Sequence, residues 1–130
     1  MTSPYNAVVW IDHPEAHILY LAVDGATHDV IRPILPPRRL YLKSGTENEI
    51  AAASEFYRAI IDAIGDAKAV LIAGPSTAKT DFVKFLHQNS PQTLERVWGI
   101  ETLARVTDHQ LLTEGRRYFA KAERPTEAPD

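Results

Sequence analysis

Three short apolar segments open the chain, and their pattern predicts antiparallel strands. Each is rich in β-branched or aromatic residues, which is typical of buried strands. His13-Pro14-Glu15 separates the first two segments, because proline lacks an amide hydrogen and restricts the residue before it. Asp24-Gly25 is a hairpin signal between the second and third. The strands predicted in this way are 7–11, 17–23 and 27–35.

The rest of the chain alternates between helical and strand-like patterns. Thr46 and Glu49 have the spacing of a capping box, and the apolar residues that follow recur at helical spacing as far as Gly65, which predicts the helix end. The run Ala69–Ala73 has no polar alternation, as expected of a strand covered on both faces. Thr107 and Gln110 form a second cap pair. The other predicted elements are a helix after residue 77, a strand over 97–103 and a helix after residue 107.

This order of elements predicts the fold class. Three strands, a loop and then α-β-α-β-α combine an antiparallel meander with parallel strands joined by right-handed crossovers. We predict an α/β domain with a mixed five-stranded sheet and helices on its faces, which is the order of a ribonuclease H-like fold. The domain is expected to span residues 1–121, followed by a flexible acidic tail over 122–130.

Composition narrows the function classes. The 130 residues are 45% hydrophobic and 24% charged, which fits one globular domain. The chain has no cysteine, which excludes a thiol nucleophile, a cysteine zinc site and disulfides, and suits a reducing compartment. No secretory signal is readable, and no apolar run approaches the roughly 20 residues of a membrane span. We expect a cytoplasmic protein with no membrane partner.

The net charge of −3 means that contact with nucleic acid must rely on a local patch. One stretch provides such a patch, and its adjacent prolines at 36 and 37 exclude a central strand. Exposed guanidinium groups and an aromatic ring can hold phosphates and stack on a base. Equally, the charges can protect a sheet edge from pairing with another sheet. The residues concerned are Arg32, Arg38, Arg39, Tyr41 and Lys43.

A strand-to-helix loop over 74–80 contains residue types found in phosphate-binding loops. The spacing is wrong for a Walker loop, because Ala78 stands where a glycine precedes the lysine and Pro75 removes one amide. A tight turn with Ser76 or Thr77 capping the helix is therefore favoured. A weak anion site stays open as the alternative. Its residues would be Gly74, Ser76, Thr77 and Lys79.

Acidic and histidine residues suggest a second kind of chemistry. In a ribonuclease H-like sheet, Asp12, Glu101 and Asp108 could converge on two magnesium ions and support a metal-dependent nuclease. Asp12 and Asp108 also fit a turn and a helix cap. His13 and His17 lie four residues apart across a proline turn and so do not form a helical zinc motif. No cofactor is expected.

Two segments also resemble a known family. Ala69–Leu86 resembles the strand–turn–helix of the central domain of the archaeal and eukaryotic peptide-chain release factor and of Pelota. In that element an apolar strand leads to Ala-Gly-Pro-Gly, a lysine, a phenylalanine and Tyr-Leu or Phe-Leu. Val8–His13 with Glu15-Ala16 resembles small bacterial proteins related to this domain, often described as translational machinery components. The resemblance spans about residues 7–119 and implies a ribonuclease H-like fold.

The resemblance implies a role in translation, with one departure. In the release factor a Gly-Gly-Gln loop enters the peptidyl-transferase centre and triggers hydrolysis. The corresponding residues 42–49 contain a single glycine, Gly45, and no such tripeptide, so this activity is not carried over. Pelota also lacks the tripeptide and binds stalled ribosomes. We therefore expect a non-catalytic module that binds the ribosome or tRNA through the basic stretch and Lys79. The alternatives are the nuclease and a protein partner bound at an exposed strand edge or apolar patch.

Overall fold

The computed structural model describes residues 4–13, 15–33 and 47–121, with side chains in the first helix from residue 52 onward. Five strands and four helices lie in these ranges. The strands are β1 (Tyr5–Ile11), β2 (Ala16–Ala22), β3 (Gly25–Ile31), β4 (Val70–Gly74) and β5 (Val97–Thr102). The helices are α1 (Glu47–Ile64), α2 (Ala78–Asn89), α3 (Pro91–Leu94) and α4 (Asp108–Lys121). None of the described helices is long and apolar enough to cross a membrane.

The strands form one mixed sheet in the order β3-β2-β1-β4-β5. β2 runs antiparallel to β1 and to β3, whereas β4 runs parallel to β1 and to β5. This arrangement confirms the predicted fold class. Most strand boundaries lie within two residues of the prediction. The turn after β2 is Val23-Asp24 rather than Asp24-Gly25, and β3 ends at Ile31 rather than at residue 35. Pro33 explains the second difference, because it cannot donate to a strand ladder.

Each face of the sheet has its own apolar core. Successive residues of β1 point to opposite faces of the sheet. Val9 lies in the core under α1 and α2, and Val8 lies in the core under α4. From the helices, Ile60 and Phe82 fill the first core and Leu111 belongs to the second. This double coverage explains the continuous apolar runs of β1 and β4, since strands buried on both faces need no polar alternation.

The helix ends follow local signals in the sequence. Gly65 has a φ of +56°, the left-handed conformation in which glycine ends a helix, as predicted. The predicted cap pair of α4 is also confirmed, because the Thr107 amide donates to Gln110 Oε1 at 2.9 Å and the Gln110 amide donates to Thr107 Oγ1 at 3.1 Å. The predicted Thr46–Glu49 cap lies outside the described side chains. The short helix α3 was not predicted; it begins at Pro91, a residue suited to the first helical position.

Strands β1, β3, β4 and β5 all end at the same edge of the sheet, which we call the carboxyl edge. It comprises residues 12, 13, 15, 32–33, 75–77 and 103–107, together with the first turns of α2 and α4. The chain leaves β1 toward β2 and leaves β4 toward β5, so a topological switch point lies between the neighbours β1 and β4. Ligands of open α/β sheets bind outside the carboxyl ends of strands at such a point.

Candidate functional site at the carboxyl edge

The switch point is closed by contacts between the ends of β1 and β4. A Cβ atom added to Gly74 would lie well under 3.0 Å from the backbone carbonyl oxygen of Ile11. Only glycine permits this approach of the two backbones. Just beyond it, Ser76 Oγ donates to Asp12 Oδ1 at 2.8 Å, which joins the two loops across the switch point.

These contacts bear on the predicted anion site. Ser76 Oγ also accepts a hydrogen bond from the Ala78 amide at 3.3 Å, and Lys79 Nζ donates to the Ser76 carbonyl oxygen at 2.7 Å. Thr77 is exposed, and its side chain makes no cap hydrogen bond. The carboxylate of Asp12 therefore supplies a negative charge beside the start of α2, where an external anion would otherwise bind. The contacts favour the structural turn, and the anion site stays a prediction.

A second set of polar residues lies where β2 and β3 meet the first turn of α4. We call Glu15, His17, His28 and Asp108 the histidine cluster. His17 Nε2 lies 2.6 Å from Glu15 Oε2, and His17 Nδ1 lies 3.1 Å from His28 Nε2. Asp108 Oδ1 lies 3.5 Å from each of those last two nitrogens. The two imidazole rings stack, with their centroids 5.3 Å apart.

Two arginines complete the surroundings of Glu15. Arg32 Nε lies 3.3 Å from Glu15 Oε1, and an Arg105 guanidinium nitrogen lies 3.2 Å from Glu15 Oε2. The hydrogen bond from His17 lowers the pKa of Glu15, with further lowering by the charges of His17 and both arginines, against the opposing effect of burial. Arg105 also lies over the ring of Trp10, 5.5 Å from its centroid. Glu15 is thus held as a carboxylate among three donors.

The basic stretch predicted to bind RNA begins at this edge. Arg32 follows β3 directly, and 68% of its side chain is exposed despite its contact with Glu15. Lys79 lies in the first turn of α2, half-buried, on the same edge. The other members of the stretch, Arg38, Arg39, Tyr41 and Lys43, lie outside the described residues.

The three carboxylates of the nuclease hypothesis are not brought together. Asp12 bonds Ser76, Asp108 contacts the two histidines, and Glu101 lies toward α4, where burial and then its charge raise the pKa of Tyr118. Throughout the described ranges, one set of three potential metal ligands has its ligand atoms within 4.8 Å of one another: His17, His28 and Asp108. The geometry therefore gives no support to a two-metal carboxylate site.

His28 belongs to none of the constellations predicted from the sequence. The register between β2 and β3 brings His28 beside His17. The two-residue turn places Leu19 opposite His28 and His17 opposite Val30. His17 and His28 are consequently diagonal neighbours on one face of the sheet, within reach of each other. The predicted Asp24-Gly25 turn would have placed Leu21 opposite His28, on the same face as His17 but too far along the strand for contact. The observed turn at Val23-Asp24 brings the two histidines within reach.

No protein-family model matches the sequence, and no curated protein matches it significantly. Solved structures do match. Pelota from Archaeoglobus fulgidus superposes with a TM-score of 0.62 and 18% identity over 90% of this chain. Thermoplasma acidophilum Pelota gives 0.59 and 17% over 92%, and the archaeal translation termination factor aRF1 gives 0.53 and 15% over 90%.

The matches cover 32% and 33% of the two Pelota chains and 41% of the aRF1 chain. This chain thus spans about a third of the length of Pelota. At this level of identity the matches concern the fold, and they extend over nearly the whole chain. The domain shares its fold with part of Pelota and of the archaeal termination factor.

Proposed function

We propose that this protein is a non-catalytic, cytoplasmic, translation-associated module that binds the ribosome or tRNA with its carboxyl edge. The supporting observation is the fold shared with Pelota and aRF1 over about nine tenths of the chain. Two further neighbours belong to the same setting. One is an archaeal Pelota bound to the ribosome with ABCE1, and the other is Saccharomyces cerevisiae Dom34, a termination-like factor in RNA quality control that interacts with Hbs1.

The charges of the carboxyl edge suggest how binding occurs. The Arg32 side chain is largely exposed, and Glu15 would keep His17 and Arg105 as partners if Arg32 moved away. Its guanidinium can therefore exchange Glu15 for a phosphate at small cost. Arg38, Arg39 and Lys43 follow within eleven residues, with Tyr41 available to stack on a base. Lys79 adds a further cation on this edge. The sequence has no Gly-Gly-Gln, so we propose binding without peptidyl-tRNA hydrolysis.

Alanine at Arg38, Arg39 and Lys43 together is expected to weaken binding to purified ribosomes or tRNA by at least about tenfold at low salt. It should also reduce the slope of log affinity against log salt by up to about three, one for each lost phosphate contact. Co-sedimentation and fluorescence titration over a salt series measure both quantities.

The matched control has alanine at Lys68, Lys84 and Arg116, three exposed cations away from the carboxyl edge. It changes the net charge by the same amount as the test variant. It should bind like the wild type. Equal weakening in both triple variants, or affinity that is independent of salt, would reject the proposed surface. Magnesium-dependent cleavage of RNA that disappears in Asp12→Asn would instead support the nuclease alternative.

A further inference from the structure

We propose that His17, His28 and Asp108 form a binding site for a divalent transition-metal ion, with Zn²⁺ the best match. This inference goes beyond the proposed function and stands independently of ribosome binding. Two imidazoles and one carboxylate suit zinc, copper or nickel, whereas magnesium and calcium prefer all-oxygen ligands.

The distances among the three ligand atoms fit one ion. They are 3.1 Å between the two ring nitrogens and 3.5 Å from each nitrogen to the Asp108 oxygen. Tetrahedral ligands about 2.05 Å from zinc lie roughly 3.3–3.4 Å from one another. The triangle therefore already has nearly the size that zinc requires. Three protein ligands would leave the fourth position for water or an exogenous ligand.

Glu15 supplies the outer contact that metal-binding histidines usually have. Its carboxylate lies 2.6 Å from Nε2 of His17, so the proton is held on that nitrogen and the Nδ1 lone pair faces His28 and Asp108. Such carboxylate–histidine pairs fix the tautomer and the ring orientation of a ligand. Burial also holds this pair in its orientation, because the side chains of Glu15 and His17 are each only 12% exposed.

Rigid elements position all three ligands. His17 and His28 lie on paired strands, and the His17 ring packs in a T-shaped arrangement with Trp10, with centroids 5.8 Å apart. Asp108 begins α4, which is fixed by the Thr107 cap and by buried Leu111. The nearby cations Arg32 and Arg105 contact Glu15 rather than any ligand atom. Their positive charges therefore lower the affinity for a metal ion, but they do not occupy the site.

Titration of the full chain with Zn²⁺, followed by calorimetry, is expected to show one ion per chain. His28→Ala and Asp108→Asn should each weaken binding by more than about tenfold, and Glu15→Gln by about 10- to 100-fold through its effect on His17. Co²⁺ provides a second readout: the wild type should give the intense visible bands of four-coordinate cobalt, and His28→Ala should not.

His87→Ala is the matched control, because His87 is exposed on α2, which packs on the opposite face of the sheet. It should bind Zn²⁺ like the wild type. His28 and Asp108 are both at the surface, so their variants are expected to fold, which circular dichroism verifies. Absence of stoichiometric binding would overturn the proposal, as would equal affinity in His28→Ala and His87→Ala, which would mean adventitious binding only.

Discussion

Replacing Gly74 with alanine is expected to lower the free energy of unfolding by about 3 kcal/mol, the upper end of the usual cost of overpacking. The added Cβ would overlap the Ile11 carbonyl oxygen, which is backbone on the neighbouring strand. A side chain could rotate away, but here β1 and β4 would have to separate. Four register pairs join these two strands at the centre of the sheet, so separation would cost hydrogen bonds and core packing. Denaturant unfolding measures the change.

The control for Gly74 is Gly25→Ala in the β2–β3 hairpin. A Cβ at Gly25 would have no atom within 4 Å, although its φ of +157° is one that glycine favours. The cost there should be limited to backbone preference, about 1 kcal/mol. If Gly74→Ala proved no more destabilising than Gly25→Ala, the close approach of β1 to β4 would be contradicted, and with it the shape of the switch point.

Truncation of Phe82 to alanine is expected to cost about 3–5 kcal/mol. Phe82 is fully buried in the core beneath α1 and α2, and its ring lies 5.6 Å from that of Tyr57. The substitution leaves a cavity among strands and helices that cannot collapse independently. A domain of this size should lose about 10 °C or more in melting temperature.

Phe85→Ala provides the comparison on the same helix. Phe85 also contacts Tyr57, with centroids 5.1 Å apart, but it is only partly buried and lies beneath the exposed Arg58. Its truncation should cost less than about 2 kcal/mol, because only part of the apolar area is removed from water. Equal losses for Phe82 and Phe85 would show that the apolar stripe of α2 faces the sheet differently.

The sequence was sufficient for the fold because its local signals agree with one another. The apolar run 7–11 predicts a buried strand, the run 69–73 predicts a strand covered on both faces, and Gly65 predicts the end of α1. The structure has each of these features. The β2–β3 turn shifted by one residue, a detail that periodicity defines poorly. The early end of β3 at Ile31 has a separate cause, because Pro33 cannot donate to a strand ladder.

The histidine cluster is harder to predict from the sequence than the fold, because its residues lie far apart along the chain. The sequence suggests Asp108 as a magnesium ligand and pairs His17 with His13 only by spacing, yet Asp108 and His17 contact each other and His28. Only the pairing of β2 with β3 and the docking of α4 bring them together. Likewise, Ser76 was predicted as a helix cap, but its bond to Asp12 spans 64 residues.

The central claim is that the carboxyl edge faces the ribosome or tRNA, and site-specific photo-cross-linking tests it most directly. In one variant a photo-reactive amino acid replaces exposed Ala104 between β5 and α4. In the other it replaces exposed Asp66 at the opposite edge, beside Tyr5. With purified, tRNA-loaded ribosomes, we predict cross-links to RNA or ribosomal protein from position 104 and few or none from position 66. Cross-links from position 66 alone, or equally from both positions, would contradict the account.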